Sequence, residues 1–186
     1  MTEPDPRIAH TRDRVLRAAL GLLAERGAGG LTIEAVAQRS GVAKSTIYRH
    51  WPGLPPLILD AFKSVDPVFP SRPVTGSVRE ETRLFLTALG DTITHAPWAT
   101  LMATLVDAAE RDADLRTLLA DFIEQRRAPL RAIISDATER GQLPKDTDPG
   151  FLAGLLGGAL FYRRLVSHEP IDDAFIDQLL DQCLPD

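Results

Sequence analysis

The twenty residues IEAVAQRSGVAKSTIYRHWP, at positions 33–52, constrain the fold more than any other part of the chain. They place a small residue at Ala37, a glycine four positions later at Gly41 and an aliphatic residue at Ile47. A small side chain lets two helices cross closely, and glycine readily takes the left-handed backbone conformation of a sharp turn. Three aliphatic side chains supply the wedge between the helices: Val36, Val42 and Ile47. The spacing predicts a helix-turn-helix, and an ordinary helical hairpin is the alternative.

The second helix of this pair is rich in hydroxyl, basic and aromatic side chains. In a helix-turn-helix, the second helix lies in the DNA major groove, with its N-terminal residues facing base edges and its flanks facing phosphates. Six side chains are donors of the type that such contacts require: Lys44, Ser45, Thr46, Tyr48, Arg49 and His50. Trp51 is expected to pack the unit together instead. The segment therefore predicts a DNA-reading helix.

Charge is divided unevenly between the two ends of the chain. The 186 residues carry a formal net charge of −5, yet residues 1–52 contain eight Lys or Arg and five Asp or Glu, a net charge of +3. The remainder therefore carries −8. A division of this kind indicates a basic module that meets a polyanion, attached to an acidic body that does not. From charge alone, chance clustering on a solvated face is the alternative.

Helical periodicity of apolar residues continues along the rest of the chain, and no convincing period-two alternation is present. Helices are predicted at 11–26, 32–40, 44–50, from 55 onward, and at 77–95, 97–111, 113–140, 148–167 and 171–183. Pro129 falls inside the seventh of these and is expected to bend it, because proline removes a donor and clashes with the preceding turn. We therefore predict an all-α chain, with a three-helix helix-turn-helix domain at 1–53 and a bundle of about six helices at 54–186.

Composition favours a soluble cytoplasmic protein. Cys183 is the single cysteine, so no intramolecular disulfide can form, which fits a reducing compartment. The first ten residues, MTEPDPRIAH, lack the apolar core of a signal peptide. The longest uninterrupted apolar run, 151–162, is too short to span a bilayer. No membrane is expected among the partners.

Nothing in the sequence indicates catalysis. The four histidines show neither metal-ligand spacing nor a recognisable catalytic pattern with a cysteine or an acid: His10, His50, His95 and His168. The run GLLGG (154–158) lies inside a predicted helix, so it does not form a phosphate-binding loop. We expect no enzyme activity, no metal and no cofactor.

Two segments resemble a known protein family. Residues 11–62 contain Glu25 and Gly27 at the end of the first helix, followed by the core GVAKSTIYRHW. They resemble the N-terminal domain of the TetR family of bacterial transcriptional regulators. Further on, ERGQLP (139–144) and GGALFYRRLVSHEPIDDAFIDQLLDQCL (157–184) resemble one recurring type of TetR C-terminal domain.

This resemblance implies a homodimer that binds a palindromic operator in double-stranded DNA. Its function would be sequence-specific transcriptional repression, relieved by a small-molecule ligand of unknown identity. A ligand-dependent activator is one alternative, and a helical protein-binding adaptor without DNA function is another.

The resemblance also implies roles for individual side chains. Phosphate contacts would come from Thr32, Tyr48 and His50. The groove floor or its edge would be contacted by Lys44, Ser45 and Thr46. Arg39, at the end of the second helix, is a further candidate for contact with DNA.

At two places the chain departs from the family pattern. Ala43 stands where the family usually has a serine, so the recognition helix lacks that side-chain cap. The fourth helix begins with GLPP (53–56), where the family commonly has a lysine that holds a phosphate. Both departures imply fewer contacts with the DNA backbone than usual.

Three glycines lie in a predicted helix that is apolar nearly all round: Gly154, Gly157 and Gly158. A glycine inside a helix costs about 1 kcal/mol relative to alanine, and close approach of another helix is a physical reason to keep it. A helix that is apolar on every side must also be covered on every side. We therefore expect the last two helices to form an isologous dimer interface, as the family does; packing within the monomer alone is the alternative. The last helix would contribute Phe175, Leu179 and Cys183.

A ligand pocket among the middle helices is a further implication of the family resemblance. Its candidate lining residues are Phe85, His95, Trp98, Met102, Leu105, Phe122 and Phe161. His95 and Trp98 flank Pro97 at a helix junction and are the strongest candidates to reach a cavity. Ordinary core packing is the alternative for each of the seven, and the chemistry of the ligand does not follow from the sequence.

Overall fold

The computed structural model describes residues 6–65, 74–94 and 98–185. Within these segments the chain forms nine α-helices and no β-strand, which confirms the all-α prediction. In chain order they are α1 Pro6–Arg26, α2 Ile33–Ser40, α3 Lys44–His50, α4 Leu54–Lys63, α5 Val78–Thr94, α6 Trp98–Arg111, α7 Ala113–Glu139, α8 Pro149–Tyr162 and α9 Asp173–Cys183. Other helical turns lie at Ala28–Gly30, of the 3₁₀ type, and at Arg163–Ser167, of the π type.

Two helix ends differ from their predicted positions by more than two residues. α1 begins at residue 6 rather than 11, and its early residues Ala9 and His10 are exposed, so no apolar pattern reveals this part of the helix. α8 was expected to continue to residue 167, but the backbone widens after Tyr162 into the π turn. His168 closes that turn with a left-handed φ of 56° and donates its backbone N–H to the carbonyl of Arg163.

By their internal contacts, the residues group into two compact units. The first contains the described residues up to 65 together with 100–121, and the second contains the described parts of 67–99 and 122–186. α7 contributes residues to both units and is continuous through Pro129. The bend at Pro129 and the functional boundary between residues 53 and 54 stay predictions.

In the first unit, α1 packs against α2 and α4, and α2 packs against α3. The side chains that these helices share are fully buried: Ala19, Val36, Ile47, Leu57 and Ala61. Because apolar burial is the main favourable term in folding, this shared core fixes the orientation of α3 relative to α1 and α4.

In the second unit, α5 packs against α8 and α9. The fully buried Glu81 fixes the start of α5, because its Oε1 accepts the backbone N–H groups of Thr75 at 3.1 Å and Gly76 at 2.9 Å. Along the exposed side of α5, Arg83 contacts Asp177 of α9 at 2.7 Å. None of the helices in the described segments is both long and apolar enough to cross a membrane.

Candidate nucleic-acid interface

The turn between α2 and α3 has the geometry that its sequence predicts. Thr32 caps α2, with its Oγ1 accepting the backbone N–H of Ala35 at 3.0 Å. Gly41 ends α2 in the left-handed conformation, with a φ of 65°, and its N–H donates to the carbonyl of Ala37 at 2.9 Å. The side chain of Arg14 reaches this turn from α1, where it donates to the carbonyl of Ser40 at 2.5 Å. The predicted helix-turn-helix is therefore confirmed.

α3 packs against the other helices of the first unit through a single buried side chain of its own. Ile47 is completely buried, and Val36 and Val42 are buried beside it, as expected for the wedge. Four of the predicted DNA contacts are exposed: Lys44, Ser45, Tyr48 and Arg49. Thr46 and His50 are half-buried. All six donors of α3 thus keep at least part of their side chains accessible to solvent, while Ile47 packs into the core.

Two of the predicted DNA-contacting cations are paired with acids of their own chain. Lys44 Nζ lies 2.5 Å from Glu34 Oε1, and the hydrogen bond from Lys44 lowers the pKa of Glu34. Arg39 donates to both carboxylate oxygens of Glu25, at 2.8 and 2.5 Å. This pairing lowers the pKa of Glu25 and raises that of Arg39. Either cation must exchange its acid for a phosphate or a base edge in order to contact DNA.

The end of α3 is held by a network that sequence reasoning missed. Trp51, directly after α3, is almost completely buried, as expected, and its Nε1 donates to Asp60 Oδ2 of α4 at 2.9 Å. Arg12 of α1 donates to the same carboxylate oxygen at 2.6 Å, and its guanidinium lies 5.3 Å from the centre of the Trp51 ring. Asp60 therefore joins α1, α4 and the end of α3. A single acid inside the apolar run LPPLILDAF (54–62) was the signal that could have identified it.

Both departures from the family pattern have structural counterparts. Ala43 precedes α3 and makes no side-chain hydrogen bond to it. α4 begins after Gly53, and its first turn contains proline rather than a lysine. Neither position supplies a side chain that could donate to a phosphate.

The second unit contains a cavity of about 240 Å³ between α5, α7 and α8. Three of the predicted ligand-binding residues line it: Phe85, Phe122 and Phe161. Met102 and Leu105 are buried in the first unit. His95 lies outside the described residues, and so does the side chain of Trp98. Sequence reasoning missed two charged residues of the lining, Arg126 and Arg127.

α8 exposes a row of large apolar side chains, which we call its outer face: Phe151, Leu155, Tyr162 and Val166, with exposed fractions of 71, 48, 61 and 62%. Their spacing of four, seven and four residues places them along one side of the helix and its π turn. A groove between α8 and α9 adjoins this face and contains Leu155, Tyr162 and Phe175.

Three of the six residues predicted for the dimer interface line this groove, among them Phe175. Gly154 and Gly158 line both the groove and the cavity, while Gly157 lines the cavity. Phe175, Leu179 and Cys183 of α9 are half-buried, and burial raises the pKa of the Cys183 thiol. A Cβ added at Gly157 or Gly158 would meet nothing within 4 Å. No helix of the same chain therefore explains these two glycines within the described residues.

Among the residues that the structure describes, no group of three or more His, Cys, Asp or Glu side chains is placed to hold a metal ion. The arrangement of donors on α3 suits hydrogen bonding to a polyanion, and the cavity suits a small, mostly apolar molecule.

Two family models match the chain. Residues 15–53 match the model described as bacterial regulatory proteins of the tetR family. Residues 72–183 match the model of the tetracyclin repressor-like C-terminal domain. The first match covers the helix-turn-helix, and the second covers α5 to α9.

Individual proteins are similar to the chain over nearly its whole length. The HTH-type transcriptional regulator Rv1556 of Mycobacterium tuberculosis is 30% identical over 188 residues, which cover 98% of this chain and 90% of that protein. The DNA-binding transcriptional repressor TetR of Mycobacteroides abscessus is 29% identical, covering 91% of this chain and 90% of the relative. The crystal structure of the TetR family transcription regulator SCO0332 is 37% identical and has a TM-score of 0.70, covering 95% of this chain and 100% of that one.

These matches span both the DNA-reading helices and the helical body, and they confirm the resemblance found in the sequence. The chain belongs to the TetR family of DNA-binding, helix-turn-helix transcriptional regulators.

Proposed function

We propose that the chain is a homodimeric repressor that acts in the cytoplasm, binds a palindromic operator and is released from it by a small-molecule ligand. Residues 1–53 would read DNA, and residues 54–186 would bind the ligand and form the dimer. The observation that carries the DNA-binding part is α3, in which Ile47 alone is buried. The other side chains of this helix are exposed or half-buried, and Lys44 becomes available to a DNA groove once it leaves Glu34.

Within α3, the proposed contacts divide by position. Lys44, Ser45 and Thr46 begin the helix and would face base edges, whereas Tyr48, Arg49 and His50 would contact the flanking backbone. Thr32 accepts a hydrogen bond as the cap of α2, and its hydroxyl can still donate to a phosphate oxygen. Arg39 would join them after releasing Glu25.

The dimer is supported by the outer face of α8. Contiguous exposed apolar side chains mark interaction surfaces, and a two-fold axis would place the outer face of one copy against that of another. Dimerisation would also set the distance between the two copies of α3. Because half-sites on DNA recur at about 34–36 Å per helical turn, that distance selects the operator.

Support for ligand control comes from the cavity between α5, α7 and α8. A ligand can weaken DNA binding only if it binds better to a conformation whose half-site spacing is unsuitable. Such a ligand would shift the dimer toward that conformation and release the operator.

Selection of binding sequences from random DNA tests this proposal, using the purified full chain and then equilibrium titrations over a salt series. We expect one palindromic sequence to be retained, with the logarithm of the binding constant falling linearly with that of the salt concentration. Arg49→Ala should weaken binding, whereas Arg111→Ala, which removes an exposed arginine of α6, should not. Absence of sequence-selective binding would favour the adaptor alternative. Increased transcription from the bound operator, instead of repression, would identify an activator.

A further inference from the structure

The cavity of the second unit has an apolar wall interrupted at one place by charge. Phe85, Leu89, Phe122 and Leu130 line it from α5 and α7, and the glycine-containing part of α8 closes the opposite side. Among the described residues that line it, the only charged ones are Arg126 and Arg127, which are adjacent on α7, and none is an acid. An apolar cavity with positive charge at one side favours a molecule that has an apolar body and one anionic group.

Arg127 has a donor without a partner. Its Nη2 donates to the carbonyl of Gly150 at 2.9 Å, which fixes the guanidinium against the start of α8. Its Nε is buried, and among the described residues it has no hydrogen-bond partner. A buried donor that is left unpaired costs free energy, which a ligand oxygen at this position would recover.

The positive charge of Arg127 is also only partly compensated. Its nearest acid, Glu124, lies 3.9 Å from Nη1 and is shared with Arg131, which contacts the same carboxylate. Two arginines therefore compete for one exposed acid. This local excess of positive charge attracts an anion to the cavity.

Arg126 lines the cavity beside Arg127, with its guanidinium 5.2 Å from the centre of the Phe122 ring. Burial lowers the pKa of Arg126, because the charged form is less well solvated there. A ligand carboxylate beside Arg126 would raise this pKa, because a nearby negative charge favours the charged guanidinium.

Room for Arg127 depends on Gly154. A Cβ at this position would lie only 2.6 Å from Arg127 Nη2, so any larger residue would displace the guanidinium. Space for the Arg127 guanidinium is therefore a physical reason for a glycine at this point of α8. It is separate from the close approach of another helix, which the sequence suggested.

We propose that this cavity binds a compact apolar carboxylate, held by Arg127 and Arg126 through its two oxygens and packed against Phe85, Phe122 and Phe161 through its hydrocarbon part. The cavity volume of about 240 Å³ lies just below the range of about 300–1,000 Å³ that is typical of pockets for drug-sized ligands, which favours a compact molecule. The inference rests on the proposed function for its link to DNA release, but not for the binding itself.

Isosteric pairs of probes test the inference by isothermal titration of the full-length protein. One pair is octanoate and octanamide, and the other is phenylacetate and phenylacetamide; within each pair, shape is retained and charge differs. We expect at least one acid to bind about tenfold or more tightly than its amide, because hydrogen bonds between two charged groups are stronger than those to neutral ones. Equal binding of acid and amide in both pairs overturns the proposal, as does the absence of binding by both acids at about 1 mM.

Substitutions test whether the preference for the acid over its amide arises in this cavity. Arg127→Met should remove the preference for the acid, whereas Lys145→Met, which removes an exposed positive charge of the second unit outside this cavity and away from Glu124, should retain it. Gly154→Ala gives a second test that keeps both arginines, and it should weaken binding of the acid by displacing Arg127. Circular dichroism verifies that each variant is folded. A folded Arg127→Met or Gly154→Ala variant with unchanged acid preference overturns the assignment.

Operator binding in the same samples separates this inference from the proposed function. If an acid binds with the expected preference but leaves operator affinity unchanged, the carboxylate site stands and release by this ligand fails. If operator is bound specifically and released equally by acid and amide, the repressor proposal stands and the carboxylate proposal fails.

Discussion

At the scale of single residues, two cations that we propose to contact DNA are paired with acids in the free chain. Lys44 contacts Glu34, and Arg39 contacts Glu25, each at 2.5 Å or slightly more. Both pairs are exposed, so their contribution to stability is small. We expect their effect on DNA binding to be larger, because phosphates or base edges must displace the acid before the cation can contact DNA.

Glu34→Gln should therefore strengthen DNA binding severalfold, for both operator and unrelated DNA. The substitution frees Lys44 and removes a negative charge beside the groove-facing helix. Glu80→Gln supplies the matched control, because it makes the same change in net charge on an exposed acid of α5. Fluorescence anisotropy with labelled duplexes measures both affinities. Equal gains in the two variants would show that net charge, and not the release of Lys44, is responsible.

Lys44→Ala and Tyr48→Phe should differ in how their effects depend on DNA sequence. If Lys44 reads a base edge, its removal costs about 1–3 kcal/mol at operators with the preferred base and much less at variants of that base pair. Tyr48→Phe removes the proposed phosphate contact and should weaken binding to all duplexes about equally. Titration of single-base operator variants decides the matter. A uniform loss for Lys44→Ala would assign Lys44 to the phosphate backbone.

At the scale of helices, α3 is placed by contacts at both of its ends. Gly41 sets the angle at which it leaves α2, and Trp51 attaches its other end to α4 through Asp60. Together with the buried Ile47 within α3, these end contacts fix the direction in which the helix points. A shift of α4 along the core would therefore move α3 with it.

Asp60→Ala should destabilise the protein by about 1–3 kcal/mol, since it leaves the buried Nε1 of Trp51 without an acceptor. In a Trp51→Phe background the same substitution should cost less, because the donor is already absent. Urea unfolding of the four proteins of this double-mutant cycle measures the difference. Additive losses would mean that the Trp51–Asp60 hydrogen bond contributes nothing to stability.

A second prediction at this scale concerns α8. Leu155→Glu should convert the proposed dimer to a monomer, because it places a charge in the middle of the outer face of α8. Leu84→Glu on α5 is the matched control, since its leucine is 47% exposed and that of Leu155 is 48% exposed. Gly158→Leu should also disrupt association, at about 1–3 kcal/mol of overpacking, and the first atom that it adds, the Cβ, meets no atom of the monomer within 4 Å. Sedimentation velocity at micromolar concentration distinguishes the outcomes. If both variants remain dimeric, the interface lies elsewhere.

Helix positions followed from the sequence where a local signal marks the end. Thr32 and Gly41 are such signals, and α2 lies between them as predicted. The start of α1 was missed because its exposed first turns lack an apolar pattern. Partners across helices were also missed, since Asp60 with Arg12 and Arg127 with Gly154 are brought together by packing over 48 and 27 residues of chain. The local sequence pattern identifies the helices and the exposed face of α3. Which side chains pair across helices depends on tertiary contacts, which the local pattern does not contain.

At the scale of the whole molecule, the proposed ligand and the operator must influence each other equally. If the ligand lowers operator affinity by some factor, then the operator lowers ligand affinity by the same factor. Titrating the ligand into the free protein and into the operator complex should therefore give dissociation constants whose ratio equals the change in operator affinity. Isothermal titration measures the ratio of the two dissociation constants of the ligand, and anisotropy measures the change in operator affinity. Equal ligand affinity in the two states, together with release of the operator, would exclude an equilibrium mechanism.

Two glycines of α8 constrain how such a regulator can be converted into a biosensor. Gly154 and Gly158 border the cavity on one side and the outer groove on the other. A substitution there that changes which compound is detected would, under the proposed dimer, change the assembly as well. Phe85 and Leu89 face the same cavity from α5 and do not line that groove. Substitutions at these two positions should therefore change which compound is detected. They should leave unchanged the distance between the two proposed DNA-binding domains of the dimer.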